Sequence, residues 1–129
     1  MVADDLVAQV RSIWDAYARD GLEGMLSVVD DDVEWRPHAA GGRVLHGSEE
    51  MRAFYAERKL AGERMEPTVY DLQRVADAVV LTGALRIVSH GRLTESQLAW
   101  VYTFDDGRLR TASAYPTRAQ ALRAVAVPA

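Results

Sequence analysis

The chain has 129 residues, 15 basic against 19 acidic side chains, and a net charge of -4 at pH 7. That is the length of one domain with enough material for a core, and it leaves no room for a second. The acidic balance, with arginines scattered singly, excludes a basic footprint for nucleic acid or an anionic membrane, and the lack of cysteine excludes disulfides, thiolate catalysis and thiolate metal sites.

No apolar run approaches the roughly 20 residues of a membrane span, and no basic segment followed by an apolar one opens the chain, so the expected location is cytoplasmic. Asp4 and Asp5 suit a helix start. Leu6, Val10, Ile13, Trp14 and Tyr17 then recur at helical spacing until Gly21. Leu22, Met25, Leu26 and Val29 repeat the spacing as a second short helix. Asp30-Asp31-Asp32 reads as a solvated turn, since the Gly and distal Glu of a calcium loop are missing. Val33-Glu34-Trp35-Arg36 is a short alternating strand closed by Pro37, and residues 37 to 47 form a loop by composition. Ser48 is the expected cap of a third helix, with Glu49 and Glu50 in its first turn, Met51, Phe54 and Tyr55 on its apolar stripe, and Gly62 at its end.

From Glu66 the period falls to two, and residues 66 to 75, 78 to 88, 93 to 105 and 108 to 115 read as four strands. Asp106-Gly107 is a type I′ turn signal, because both central positions need φ > 0. Extending the pairing from that turn sets Phe104 opposite Leu109, Tyr102 opposite Thr111, Trp100 opposite Ser113 and Leu98 opposite Tyr115. The earlier turns set Leu72 opposite Leu81, Tyr70 opposite Gly83 and Leu81 opposite Trp100, which gathers the large apolar side chains on one concave face. The other face, with Ala99, Val101, Thr103, Ala112 and Ala114, is small and weakly polar, the pattern expected of a homodimer interface. Pro116 ends the last strand, and Thr117 with Gln120 forms a capping box for a terminal helix carrying Ala121, Leu122 and Val125.

Helices, a strand and a long meander make an α+β layout, a curved antiparallel sheet covered by the N-terminal helices. The order helix, helix, Asp-Val-Glu-Trp strand, Leu-His-Gly-Ser-Glu-Glu helix start and Tyr-Thr-Phe-Asp-Asp-Gly-Arg-Leu hairpin resembles the SnoaL-like group of the nuclear transport factor 2-like superfamily. The resemblance covers essentially the whole chain, residues 1–129 as a single domain. It implies a cone with a pocket between the first helices and the concave face, and frequently a homodimer. It specifies the fold and not the activity, since the superfamily spans isomerases, cyclases, hydrolases, dehydratases and binding domains.

Steroid isomerases of that superfamily carry carboxylates at positions that fall here on Pro37 or His38 and on Trp100, so neither is present. Asp71, Glu95, Asp105 and Arg86 read as outward-facing or at a turn. His38 is therefore the candidate catalytic acid-base group, with an ordinary pKa of about 6.5. His46 and His90 read as helix-start and turn residues. The three histidines lack metal-site spacing, and no metal or cofactor is expected. The candidate ligand-binding residues are Trp14, Tyr17, Tyr55, Tyr70, Leu85, Trp100, Tyr102, Ser113 and Tyr115, with Trp35 as a further wall, which suits a small hydrophobic, aromatic or terpenoid-like partner. Three functions remain open at this point: a proton-transfer enzyme of isomerase or cyclase type, a non-catalytic binding protein, and a dimeric interaction module with a filled cone.

Overall fold

The computed structural model describes residues 5–37 and 44–126. The elements are α1 (Asp5–Val28), β1 (Glu34–Arg36), β2 (Leu45–His46), α2 (Gly47–Leu60), β3 (Glu63–Val75), β4 (Ala78–Ser89), β5 (Arg92–Asp105), β6 (Arg108–Tyr115) and α3 (Arg118–Ala126). They build one six-stranded sheet in the order β2-β1-β6-β5-β4-β3. The meander from β3 to β6 is antiparallel as expected, but the sheet as a whole is mixed, because β1 runs parallel to β6. The two-residue β2, which pairs β1, lies in a stretch that composition assigns to loop.

Gly21 does what the broken periodicity predicts. It leaves helical geometry at φ 71 and ψ -155, so α1 consists of two helical runs joined at a kink. Each run turns an apolar stripe to the sheet, with Val10 and Ile13 from the first and Met25 and Leu26 from the second buried in the main core. Helix α2 contributes Met51 and Phe54 to that core. Its start differs from the expectation. The N-cap is His46, without a side-chain cap, and the His46 amide donates to Glu50 Oε1 at 2.9 Å. Ser48 hydrogen-bonds Asp31 instead, which ties α2 to the acidic turn.

The hairpin turns follow the sequence signals. His90-Gly91 and Asp106-Gly107 each place both central residues at positive φ, and Asp105 faces Arg108 across the last turn. Leu72 opposite Leu81, Leu81 opposite Trp100 and Gly83 opposite Leu98 are all found. Two bulges change the rest. Between Thr103 and Phe104 the register with β6 shifts, so Arg110 is passed over, Tyr102 faces Ala112 and Trp100 faces Ala114. Ser113 now pairs Val101 and Tyr115 pairs Ala99, which puts Ser113 and Tyr115 on the opposite face from Trp100. The physical reason is volume: two large rings pack against two alanines rather than against polar side chains. The second bulge lies between Val69 and Asp71, so Val69 faces Gly83 and Tyr70 is left 69% exposed. These two shifts also curve the sheet.

The N-cap half of the capping box forms, with the Gln120 amide donating to Thr117 Oγ1 at 3.2 Å, while Gln120 Oε1 accepts from the Thr117 hydroxyl at 3.3 Å. Helix α3 does not join α1 and α2; Ala121, Leu122 and Val125 pack on the other face against Ala78, Val80, Ala99, Val101 and Tyr115. That corrects the basis for the expected dimer interface. Ala99 and Val101 are already covered within the chain, while Ala112 and Ala114 belong to the concave side.

Glycine is required at Gly83 by a close approach, since a Cβ there would collide with the Thr68 carbonyl oxygen of β3. At Gly107 the space is open and only φ 75 resists a side chain. Gly83→Ala should therefore cost about 2 kcal/mol, an overpacking penalty, and Gly107→Ala about 1 kcal/mol, a left-handed backbone penalty. Urea unfolding of the two variants checks the order; equal losses would show that β3 does not sit against Gly83.

Candidate functional site

The concave face of the sheet and the inner faces of α1 and α2 meet around Trp100. Helix α1 brings Trp14 and Tyr17, β1 brings Trp35, α2 brings Phe54 and Tyr55, and β5 brings Leu98, Trp100 and Tyr102. Trp35 and Trp100 have ring centroids 5.0 Å apart, Trp14 sits edge-on to Trp100 at 6.2 Å, and Tyr102 stacks on Trp100 at 6.1 Å. Such offset and edge contacts add to area burial. Two indoles are satisfied inside this cluster. Trp14 Nε1 donates to the Tyr102 hydroxyl at 2.7 Å and Trp35 Nε1 to the Tyr55 hydroxyl at 3.2 Å. The third is not: Trp100 is 4% exposed and its Nε1 has no hydrogen-bond partner.

Beneath the cluster lies a cavity of about 50 Å³, walled by Trp14, Tyr17, Trp35, Tyr55, Leu85 and Trp100, with Met25, Pro37, Phe54, Met65, Pro67 and Leu98 completing it. The cone is thus largely filled by its own rings, yet not closed. Tyr17 and Met65 also border two surface grooves, one of about 520 Å³ beside Arg11 and Glu66 and one of about 270 Å³ beside Arg58 and Lys59. The Tyr17 hydroxyl donates to the Met65 carbonyl at 3.4 Å, so the partition between cavity and grooves is one side chain thick and held by a long hydrogen bond.

Of the ligand-binding residues expected from sequence, the structure brings together Trp14, Tyr17, Tyr55, Leu85 and Trp100 at the cavity. Tyr102 is fully buried behind them, with its hydroxyl occupied by Trp14. Tyr70 is carried outward by its bulge, and Ser113 and Tyr115 lie on the far face; all three leave the predicted lining. His38 lies outside the described residues, although its neighbour Pro37 is part of the wall. Met65 and Pro67 join the wall without being expected there, because β3 begins at Glu63 rather than Glu66 and carries a bulge between Val69 and Asp71. Once Val69 faces Gly83, both share its face.

The described wall carries no carboxylate, histidine, lysine or arginine. Asp71, Glu95, Asp105 and Arg86 are exposed, as their strand positions predict. Among the described residues no group of three or more acidic or histidine side chains stands close enough to hold a metal ion. The titratable groups of the wall are phenols, and they are held protonated. Burial pushes Tyr55 up to about 12, against the opposing hydrogen bond from Trp35. Burial likewise raises Tyr17, with the Glu66 charge adding to it, and raises Tyr102 well above its ordinary value. The site can therefore donate hydrogen bonds and stack on a ring, but offers no proton acceptor near neutrality among these groups.

Tyr102→Phe should cost about 1–3 kcal/mol, because it strands the Trp14 indole N–H in the core. The loss should shrink when Trp14→Phe is combined with it, and a double-mutant cycle by urea unfolding measures the coupling. A raised phenol pKa also fixes the sign of the alkaline response. The folded state keeps the Tyr55 proton up to about pH 12, while an unfolded tyrosine releases it near pH 10. The unfolded state then binds fewer protons between those values, so stability falls as pH rises through that window. Tyr55→Phe should lessen the fall in stability measured between about pH 9.5 and 11.5, with Tyr17 and Tyr102 leaving the remainder.

Comparison with known proteins places this geometry. Residues 10–112 match the SnoaL-like domain. No curated protein matches the sequence. Among solved structures, an NTF2-like protein of unknown function from Burkholderia pseudomallei is similar at 23% identity and TM-score 0.73, over 95% of this chain and 98% of the other. TerC, co-crystallised with polyporic acid, is similar at 19% identity and TM-score 0.75, over 95% and 99%. A Mycobacterium tuberculosis protein in complex with estradiol-17beta-hemisuccinate is similar at 18% identity and TM-score 0.68, over 89% and 95%. With α helices on a curved sheet, a cone-shaped interior and a match over most of its length, the chain belongs to the SnoaL-like domain family of the NTF2-like fold.

Proposed function

We propose that this protein binds a small, flat, predominantly apolar molecule in the cone. The observation that carries the reading is the cavity around Trp100, walled by aromatic and aliphatic side chains and joined through Tyr17 and Met65 to surface grooves. At about 50 Å³ it holds a few water positions, well short of the roughly 300 Å³ of a drug-sized pocket. Even a single aromatic ring needs more, since a cavity of roughly 150 Å³ is what holds benzene, so any ring ligand must displace Tyr17 or Met65 and lie partly in a groove. Met65 suits that, being unbranched and adaptable. The neighbours that take polyporic acid and an estradiol ester support ring compounds as the ligand class for this fold.

Among the described wall residues only phenols titrate, which favours binding without acid-base chemistry over an isomerase or cyclase. Proton transfer, if the protein performs it, falls to His38, next in sequence to the cavity-lining Pro37. Leu85→Phe separates binding from an inert core: it fills the cavity from β4 and should abolish calorimetric binding of one- and two-ring aromatics while leaving the fold intact. His38→Ala should leave that binding unchanged and remove any proton exchange at carbon in a bound ketone. A wild-type protein that gives neither heat nor thermal shift with such compounds would leave the filled-cone interaction module.

A further inference from the structure

Two grooves meet the cavity at Tyr17 and Met65, and their surfaces differ in chemistry. The one between α1 and β3 is bordered by Arg11, Asp15, Glu66 and Thr68, and polar atoms make up much of its surface. The other, of about 270 Å³, runs between the Gly21 corner of α1, the last turn of α2 and the start of β3. It too borders charged residues, Arg58, Lys59, Glu63 and Arg64, yet its surface is mostly carbon. The reason is where the charged heads are held. The Arg58 guanidinium pairs with Glu63 at 2.7 Å and sits over the Phe54 ring, 5.6 Å from its centroid, while Arg64 pairs with Glu66 at 3.0 Å. Three of these four heads are thereby engaged by partners, which leaves aliphatic stems to extend the apolar surface of Leu22, Tyr55 and Met65. Tyr17, Tyr55 and Met65 belong to the cavity and to this groove alike, so the two voids become one when the long hydrogen bond from Tyr17 to Met65 opens.

Resting on the binding reading above, we infer that the groove beside Leu22 is a second subsite that takes an aliphatic tail, so that the preferred ligand is an alkyl-substituted aromatic with its ring in the cavity and its tail along Leu22, Tyr55 and Met65. The choice of groove follows from desolvation. A tail laid on the carbon surface beside Leu22 removes apolar area from water on both sides of the contact. The same tail between α1 and β3 would strip water from Arg11, Asp15 and Glu66 without replacing its hydrogen bonds. A polar group at the far end of the tail stays wet at the rim, where Lys59 is exposed.

Three uncharged probes that differ only in tail length test this: benzyl alcohol, 3-phenylpropanol and 5-phenylpentanol. All three tryptophans of the chain wall the cavity, so ring entry is read from intrinsic fluorescence without a label. In wild type the affinity should rise roughly ten-fold from benzyl alcohol to 5-phenylpentanol, which corresponds to burying about half of each added methylene. In Leu22→Gln that rise should fall to about three-fold or less, whatever the variant does to benzyl alcohol itself. Thr68→Gln, in the other groove, should leave the rise as it is in wild type. Nuclear Overhauser effects in wild type should join the tail protons of 5-phenylpentanol to the methyl groups of Leu22 and Met65, a readout that stands if Leu22→Gln does not fold. Equal binding of the three probes, a rise that survives Leu22→Gln, a rise lost in Thr68→Gln, or tail contacts at Thr68 and Val69 in place of Leu22 would overturn the inference while leaving ring binding in place. No fluorescence change with any of the three would overturn the binding reading and this inference together.

Discussion

The hydrogen bond from Trp14 on α1 to Tyr102 on β5 is the constraint on which the cone depends. It joins the first helix to the middle of the sheet through two polar groups buried among rings, where either one left alone is unfavourable. Helix α1 is thereby fixed over the concave face at one height and one rotation. Once Trp14 is placed, Trp100 must fit between it and Trp35, and Tyr102 must stack beside Trp100. Three indoles and a phenol in one layer leave little volume on the neighbouring strand, and Ala112 and Ala114 meet that demand. They do so only because Arg110 is passed over in the pairing. The same shift turns Tyr115 to the other face, where it joins Leu122 and Val125 under α3. One buried contact thus leads, through ring volume and strand register, to the second hydrophobic layer on the far side of the sheet.

The architecture was legible in the sequence wherever a residue has a single physical option. Gly21, Asp106-Gly107 and the Thr117 to Gln120 box each mark a backbone event that other residues tolerate poorly, and each occurs where read. The pairing of β3 with β4 and of β4 with β5 was legible near the turns for the same reason. The bulges were not. Beyond Arg110 the strand reads Thr-Ala-Ser-Ala-Tyr, and alanine is equally at home on a buried or a covered outer face, so the two registers were not distinguished by hydrophobicity. Only the demand of Trp100 and Tyr102 for small partners decides between them, and that demand is tertiary. Tyr70 is a similar case: an aromatic opposite Gly83 is a reasonable cross-strand pair, yet the backbone of β3 comes so near Gly83 that the chain bulges there and swings the ring into solvent.

The site was legible to the extent that it is made of rings on regular elements. Helical spacing placed Trp14 and Tyr17 together, and strand parity placed Leu85 and Trp100 on the same side, so these four needed no knowledge of the bulges. The part that fails is the part that depends on β6, where Ser113 and Tyr115 inherit the shifted register. The chemistry of the wall was also legible by what it lacks. Asp71, Glu95 and Asp105 fall at outward positions, and Glu63, which shares the face of Met65 and Pro67 at the start of β3, is ion-paired with Arg58, because an unpaired charge facing this apolar interior would be strongly disfavoured. The SnoaL-like match therefore carries the cone without the carboxylates of steroid isomerases, whose positions the resemblance put at Pro37 or His38 and at Trp100.

The same rings that stabilise the cone also limit what it can hold. Filling the interior with Trp35, Trp100 and Tyr102 maximises contact and burial, and it reduces the open volume to about 50 Å³. A binding site in such a core can enlarge only where its wall is thin and its packing is adaptable. The wall is thin at Tyr17 and Met65: both are partly exposed, both border the cavity and the grooves, and one hydrogen bond of 3.4 Å is what links them. The opposite wall, from Trp14 through Trp100 to Trp35, is locked by stacking and by two indole hydrogen bonds. Rigidity on one side and a thin edge on the other concentrate whatever adaptability the cavity has at Tyr17 and Met65.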